Sequence, residues 1–200
     1  MDSRPHDRPD HRRRVVAQQW ISVDGFAAGP TGEGEIFAHV PAESDRRSMA
    51  INETLLGEVE TVLLGRRTYE VFVAFWPTEH SRDVPVAPLV NAVPKLVAST
   101  TLAAAPWGDH AAAEVVSDAV AHVRDLRAGP GGLVLVWGSL ALMRSLLAAG
   151  LVDELDLFVA PVALGGGTPL IAPGRPVGLR QIAGEVFPAG GAHLRFAVAG

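Results

Sequence analysis

A short apolar strand that runs into a glycine and then into an amphipathic helix occurs twice in this chain. No other feature constrains the fold as strongly. The first copy is Thr61-Val62-Leu63-Leu64, then Gly65, then Arg66-Arg67-Thr68. Tyr69, Phe72, Val73 and Trp76 follow at i, i+3, i+4 and i+7, the spacing of one helix face, and Pro77 ends the run. The second copy is Leu133-Val134-Leu135-Val136-Trp137, then Gly138, then Ser139, which can cap a helix running to Gly150. Both strands are continuously apolar rather than alternating. That pattern belongs to strands covered on both faces, as in a parallel sheet flanked by helices.

The remaining segments fit the same architecture. Residues 15–23 predict a first strand closed by Asp24-Gly25, and a Gly- and Pro-rich loop follows. Ile51, Leu55 and Val59 at four-residue spacing predict a helix over 43–60. A linker with Pro85, Pro88 and Pro94 leads to a strand at 95–99, a short strand at 113–117 and a helix at 118–128. Leu155, Leu157 and Val159 mark a strand that ends at Pro161. Residues 179–187 and 193–198 predict a hairpin joined by PAGGA, with Leu194, Phe196 and Val198 on its apolar face. No internal repeat of fixed period is present. The expectation is an α/β fold with a mainly parallel central sheet, an antiparallel C-terminal hairpin and helices on both faces. It forms one domain over 15–200, preceded by a disordered tail at 1–14.

Composition narrows the function classes. The 200 residues are 48% hydrophobic and 20% charged, enough for one sizeable core. In residues 1–14 five Arg against three Asp make +2, and with −5 for the whole chain the rest carries −7. An acidic body argues against nucleic-acid binding, which requires a basic face. No apolar run reaches the ~18 residues of a membrane helix, and the polar N-terminus lacks the apolar stretch of a secretory signal. A cytoplasmic location is expected. The absence of Cys excludes disulfides, zinc–thiolate sites and a cysteine nucleophile. The seven His form no H-x-x-x-H pair, so no metal site is expected.

The two glycine turns carry the chemistry. A helix that starts directly after a strand presents unpaired N–H groups and a positive dipole end, which suits phosphate. At the first turn, Gly65 allows close approach, Arg66 can pair with a second phosphate, and the Thr68 hydroxyl adds a hydrogen bond. The same residues also suit an ordinary strand-to-helix turn with a solvated arginine pair. Gly138-Ser139 forms a second such turn, and two of them suit a dinucleotide better than a mononucleotide. Neither is a Rossmann GxGxxG. Gly165-Gly166-Gly167 is no P-loop, because no GK[ST] follows; it is expected to be a flexible connection. Trp137-Gly138-Ser139-Leu140-Ala141 lacks the flanking glycines of a nucleophile elbow. Trp20, Trp76 and Trp107 are expected in the core or a pocket wall.

In order along the chain, ISVDGFAAG, LLGRRTYEVF, PKLVAST, VLVWGSLALMRSLLAAGLVDELDLFVAPVALGGGTPL and HLRFAV cover roughly 15–198. Together they resemble the dihydrofolate-reductase-like reductases, including the reductase half of the riboflavin-biosynthesis deaminase–reductase. The resemblance implies NADPH as cofactor. Gly65 and Thr68 would face its pyrophosphate, and Arg66 and Ser99 its 2′-phosphate. Trp137, Gly138, Ser139 and Leu140 would lie beside the nicotinamide ribose and pyrophosphate. Asp24 would stand at the mouth of the site, as a proton relay through water or a substrate hydrogen bond; it also suits a plain turn before Gly25. Asp153-Glu154 would be structural. The resemblance further implies hydride transfer to a small heterocycle, pterin- or aminopyrimidine-like, or to a carbonyl or imine compound, and a homodimer.

Two departures matter. The Trp and acid that dihydrofolate reductases carry on the helix after the first loop have no counterpart of matching spacing, although Glu33 and Glu35 are nearby. The deaminase signature H-x-E with P-C-x-x-C is absent. A stand-alone reductase is expected, with a non-catalytic nucleotide- or pterin-binding module as the alternative.

Overall fold

The structure is a computed structural model that describes residues 13–174 and 176–199. Its first strand, β1 (Arg14–Ser22), lies at the middle of the sheet because VVA at its start is apolar on both faces. β3 (Val59–Gly65) and β7 (Leu133–Trp137) are the strands of the two strand–glycine–helix units, and β7 sits between β1 and β3. β4 (Lys95–Ala98) and β6 (His110–Val116) extend the parallel sheet beyond β3. β8 (Glu154–Ala160) pairs parallel to β1 on the other side. The hairpin of β10 (Leu179–Val186) and β11 (Ala192–Val198) joins β8 antiparallel. A strand absent from the sequence expectation, β5 (Ala105–Trp107), adds a second antiparallel pair at the far edge. The order is β10-β11-β8-β1-β7-β3-β4-β6-β5. A separate two-stranded ribbon joins β2 (Phe26–Ala28) to β9 (Thr168–Pro169).

Alternation along each strand sends apolar side chains to both faces. Val15, Leu63, Val134 and Val136 pack against α5 (Ala119–Ala128) and α6 (Leu140–Ala148), where Val123, Met143 and Leu146 are fully buried. Val16, Leu64, Leu133 and Leu135 point to the opposite face. There they meet α2 (Ala42–Leu56), α3 (Arg66–Val73) and α4 (Ala87–Ala92), and a single-turn helix, α1 (Gly34–Phe37), precedes α2. Each such aliphatic side chain contributes ~1.5–3 kcal/mol on burial, so either face alone holds a substantial core.

The boundaries differ from expectation in three places. The helix predicted over 43–60 ends at Leu56, and Val59 opens β3, because Gly57 interrupts the pattern. The Pro-rich linker contains a helical turn at Glu79–Ser81 and then α4, since Pro88 in a first helical turn forfeits no hydrogen bond. The tail boundary at 14 is also corrected: Arg13 and Arg14 belong to the folded body. Arg13 pairs with Glu60 at 2.5 Å and donates to the Leu126 carbonyl, while Arg14 reaches Glu154 at 3.4 Å. Residues 1–12 of that expectation lie outside the described residues. Asp153 accepts the Val15 N–H at 2.8 Å and the Arg127 guanidinium at 2.6 Å, a structural use of the paired acids.

Candidate active site

Parallel strands end at one common edge, so the loops that follow β3, β4, β6 and β7 converge there. They line a cleft of about 950 Å³. Its floor comes from Gly65–Thr68, Ala98–Thr101, Ser117 and Ser139–Leu142, and its outer lip from Ala28–Glu33 and Thr168. Gly167 permits that lip: its φ is +122°, and a Cβ there would strike the Ala28 carbonyl across the β2–β9 ribbon. Gly167 is therefore a close backbone contact, whereas a Cβ on Gly165 or Gly166 would meet nothing within 4 Å.

The two glycine turns pack against each other. The Gly65 N–H donates to Ser139 Oγ at 2.7 Å, and a Cβ on Gly138 would lie 3.3 Å from the Thr68 methyl. Gly138 and Ser139 are consecutive left-handed residues, at φ +58° each, and Ser139 is the only described non-glycine residue with positive φ. Such a residue is strained by ~1 kcal/mol or more and is held by its surroundings. Here Ser139 Oγ accepts from Gly65 and donates to the Trp137 carbonyl at 3.1 Å. That leaves no free hydroxyl for nucleophilic chemistry. The reversal instead turns the first N–H groups of α6 beside those of α3, two helix N-termini over one cleft.

Beyond this floor lies a second cavity of about 510 Å³, walled by Trp20, Phe37, Phe72, Phe75, Trp76 and Trp137. Trp137 meets Phe72 edge-to-face at 5.3 Å, and Trp76 stands 6.3 Å from it. The two cavities share Glu33 and Thr68, and Gly138 on one side adjoins Ser139 on the other.

Most of the expected cofactor residues come together. Arg66, Thr68, Ser99, Ser139 and Leu140 all face the cleft. Ser99 Oγ accepts the N–H groups of Thr101 and Leu102 and lies 3.4 Å from the Thr101 hydroxyl at the cleft wall. Arg66 is held by Glu70, one turn on, at 2.8 Å. Gly65 lies in the floor, but its N–H is consumed by Ser139, so it contributes close approach rather than a donor. Trp137 and Gly138 line the aromatic cavity, because Leu133, Leu135 and Trp137 alternate onto that face of β7.

Asp24 is a correction. It lies in the wall of neither cavity. Its oxygens accept from Ser22 Oγ at 2.5 Å, from the Leu164 N–H and from the Gly165 N–H at 2.7 Å. The Ser22 hydroxyl and these backbone donors lower its pKa to about 2. A carboxyl so tied anchors the 162–165 loop and does not carry protons near neutrality.

Of the acids that face the cavities, sequence reasoning noted Glu33 only as near the place of the missing family acid and did not single out Asp45. Asp45 on α2 lines the aromatic chamber, and Glu33 lines both cavities. Each is open to solvent by surface area yet set in a concave wall, and desolvation there raises both pKa values. Glu35, by contrast, accepts from the Thr31 N–H and hydroxyl, which lower its pKa. Arg144 was missed too: it lines the cleft and binds the carbonyls of Pro169 and Leu170. The signal for Asp45 was Asp45, Ser48, Met49 and Asn52 at helical spacing, a mostly polar stripe that turns inward. Among the described residues no cluster of three or more His, Asp or Glu could hold a metal ion, and no helix is long and apolar enough to cross a membrane.

Known proteins share this fold. An uncharacterized protein of Bacillus subtilis (strain 168), YyaP, is 26% identical over 182 residues, covering 90% of this chain and 92% of that one. The crystal structure of a putative riboflavin biosynthesis protein from Shewanella sp. PV-4 superposes with a TM-score of 0.72 at 21% identity, over 94% of this chain and 99% of that one. Dihydrofolate reductase from Enterococcus faecalis, complexed with NADP(H) and RAB-propyl, gives 0.58 at 14% identity, over 94% and 97%. These likenesses show the dihydrofolate-reductase-like fold. The sequence profile described as the RibD C-terminal domain matches residues 13–190, so the chain belongs to the RibD C-terminal domain family.

Proposed function

We propose that this chain is a cytoplasmic, NADPH-dependent reductase that transfers a hydride to a small heterocycle, pterin- or aminopyrimidine-like, or to a carbonyl or imine compound. One observation carries the reading: a long polar cleft over two helix N-termini opens at Glu33 and Thr68 into an aromatic chamber. The first suits a dinucleotide and the second a planar substrate. NADP(H) bound to the Enterococcus neighbour of the same fold supports the reading.

The residues present fit the cofactor. The first turns of α3 and α6 supply N–H groups for the pyrophosphate, while the Gly138 N–H is taken by the Gln18 carbonyl at 3.0 Å. Arg66 and the Ser99 hydroxyl would hold the 2′-phosphate, with Arg67 and Arg144 adding positive charge. Bound NADPH supplies the hydride. The aromatic walls exclude water and hold the acceptor flat against the junction. A proton must also arrive, and Glu33 and Asp45 are placed to hold it. Raised pKa values keep a carboxyl protonated to higher pH, so activity through either falls as pH rises through that value.

The test mixes purified protein with NADPH and follows nicotinamide absorbance while pterins, aminopyrimidines and small carbonyl compounds are screened. Oxidation with at least one class supports the reading. Glu33→Gln or Asp45→Asn should then lower kcat about 100-fold at the proton donor. Saturable NADPH binding with no oxidation by any class would replace the reductase with a binding module.

A further inference from the structure

The rear of the aromatic chamber is polar and deeply buried. Gln18 on β1 is 2% exposed and Asn52 on α2 is 5% exposed, and both line the chamber. Gln18 Nε2 donates to Asn52 Oδ1 at 2.8 Å and lies 3.4 Å from Asp156 Oδ1. Asp156 sits behind them, 2% exposed, with His193 Nε2 at 2.7 Å and the Arg195 guanidinium at 3.8 Å.

This arrangement fixes the polarity of both amides. A carboxylate only accepts, so Gln18 turns its NH₂ toward Asp156. The same NH₂ reaches Asn52, so Asn52 must offer its oxygen there. Gln18 Oε1 and Asn52 Nδ2 are thereby left over, and neither has a protein partner among the described residues. Neither is among the described side-chain atoms that are both fully buried and without a hydrogen-bond partner, which are Gln19 Oε1 and Arg195 Nε, so both remain accessible from the chamber. Both residues line the chamber, so one acceptor and one donor, fixed in polarity by the groups behind them, are left for a ligand held there.

We propose that Gln18 and Asn52 form a specificity-determining pair that reads a lactam edge, a ring N–H next to a carbonyl, on the planar heterocycle held in the chamber. Gln18 Oε1 accepts from the N–H, and Asn52 Nδ2 donates to the carbonyl oxygen. Asp156, steadied by His193, is a positioning residue: it touches no substrate but forbids the amide flip that would invert the pattern. The inference rests on the reductase reading for the ligand's role as substrate; the recognition itself needs no cofactor.

The experiment titrates the full chain, with and without NADPH, against three probes by tryptophan quenching. Lumazine carries lactam edges, 1,3-dimethyllumazine keeps the carbonyls without an N–H, and protonated 2,4-diaminopteridine offers two donors side by side. Wild type should bind lumazine about tenfold or more tighter than either other probe, because each leaves a buried wall group unpaired. Asn52→Asp presents two acceptors and should reverse the preference toward 2,4-diaminopteridine. Asp156→Asn should flatten it while NADPH affinity stays within about twofold. Equal binding of lumazine and its dimethyl derivative by wild type would overturn the proposal, and this comparison stands even if the variants fail to fold. Absence of binding by all three probes would overturn it too, as would an Asn52→Asp variant that weakens lumazine and 2,4-diaminopteridine alike. Failure of NADPH to bind while the lumazine preference holds would sink the reductase reading and leave this proposal standing.

Discussion

Arg66→Ala should separate NADPH from NADH. The two cofactors differ by one 2′-phosphate, and the acidic body of the chain would repel that group without a local cation. Arg66 stands 44% exposed on the first turn of α3, already paired with Glu70 at 2.8 Å. A charge-assisted contact to phosphate contributes ~1.5–3 kcal/mol net. Drawing Arg66 off an exposed i,i+4 pair costs about 0.3–0.5 kcal/mol. About 1–2.5 kcal/mol remains, which at 1.4 kcal/mol per decade is roughly 5- to 60-fold in affinity. Calorimetric titration should show NADPH weakened by that factor in Arg66→Ala and NADH unchanged within about twofold. Glu70→Ala removes the competitor and should tighten NADPH about twofold. Arg67 also lines the cleft, but a neighbouring helix position points about 100° away, so Arg67→Ala should matter less. Equal losses for both cofactors in Arg66→Ala would refute the 2′-phosphate assignment. A selectivity loss in Arg67→Ala with none in Arg66→Ala would transfer it to the neighbour.

Asp24→Asn should lower the melting temperature at pH 7. The folded pKa is depressed from 3.8 to about 2, so the stabilisation is full above 3.8 and lost as pH falls through 2. The difference between the two proteins should therefore shrink as pH falls from 4 through 2, and a difference undiminished at pH 2 would contradict the anchoring role. Truncation of residues 1–12 should leave the melting temperature unchanged. Further removal of Arg13 and Arg14 should cost about 1–2 kcal/mol, or ~2–8 °C for a domain of this size; equal melting of the two truncations would show that these ion pairs contribute nothing. The chain should form a homodimer: β10 is an unpaired edge with Leu179, Ile182 and Val186 exposed, an edge that a second copy can cover. A monomer mass by light scattering at micromolar concentration would sink that expectation.

The sheet and the polar cleft were legible because both rest on local signals. Apolar runs, glycine and helical spacing place β3–α3 and β7–α6, and parallel pairing then brings their turns together without further information. The chamber was not legible. Asp45, Ser48 and Asn52 on α2 read as a solvent face, since polar residues at helical spacing normally point outward. They turn inward because the wall they build is a cavity, not a core. Gln18 is hidden likewise, a polar residue inside an apolar strand whose partners Asn52 and Asp156 lie 34 and 138 positions away. Asp24 misled for the opposite reason: a strand-end acid before glycine reads as exposed and available, and only the returning 162–165 loop shows that it is fully engaged.

We propose that one NADPH spans the cleft with its nicotinamide at the junction, beside Trp137 and Trp76. Energy transfer from tryptophan to the reduced nicotinamide tests this directly. Excitation of the protein should give saturable emission from the nicotinamide ring. Trp137→Phe should reduce its amplitude, and Arg66→Ala should move its midpoint without changing the plateau. Absence of sensitised emission at NADPH concentrations that saturate a calorimetric titration would place the nicotinamide elsewhere, and absence of any saturable NADPH binding would contradict the account as a whole.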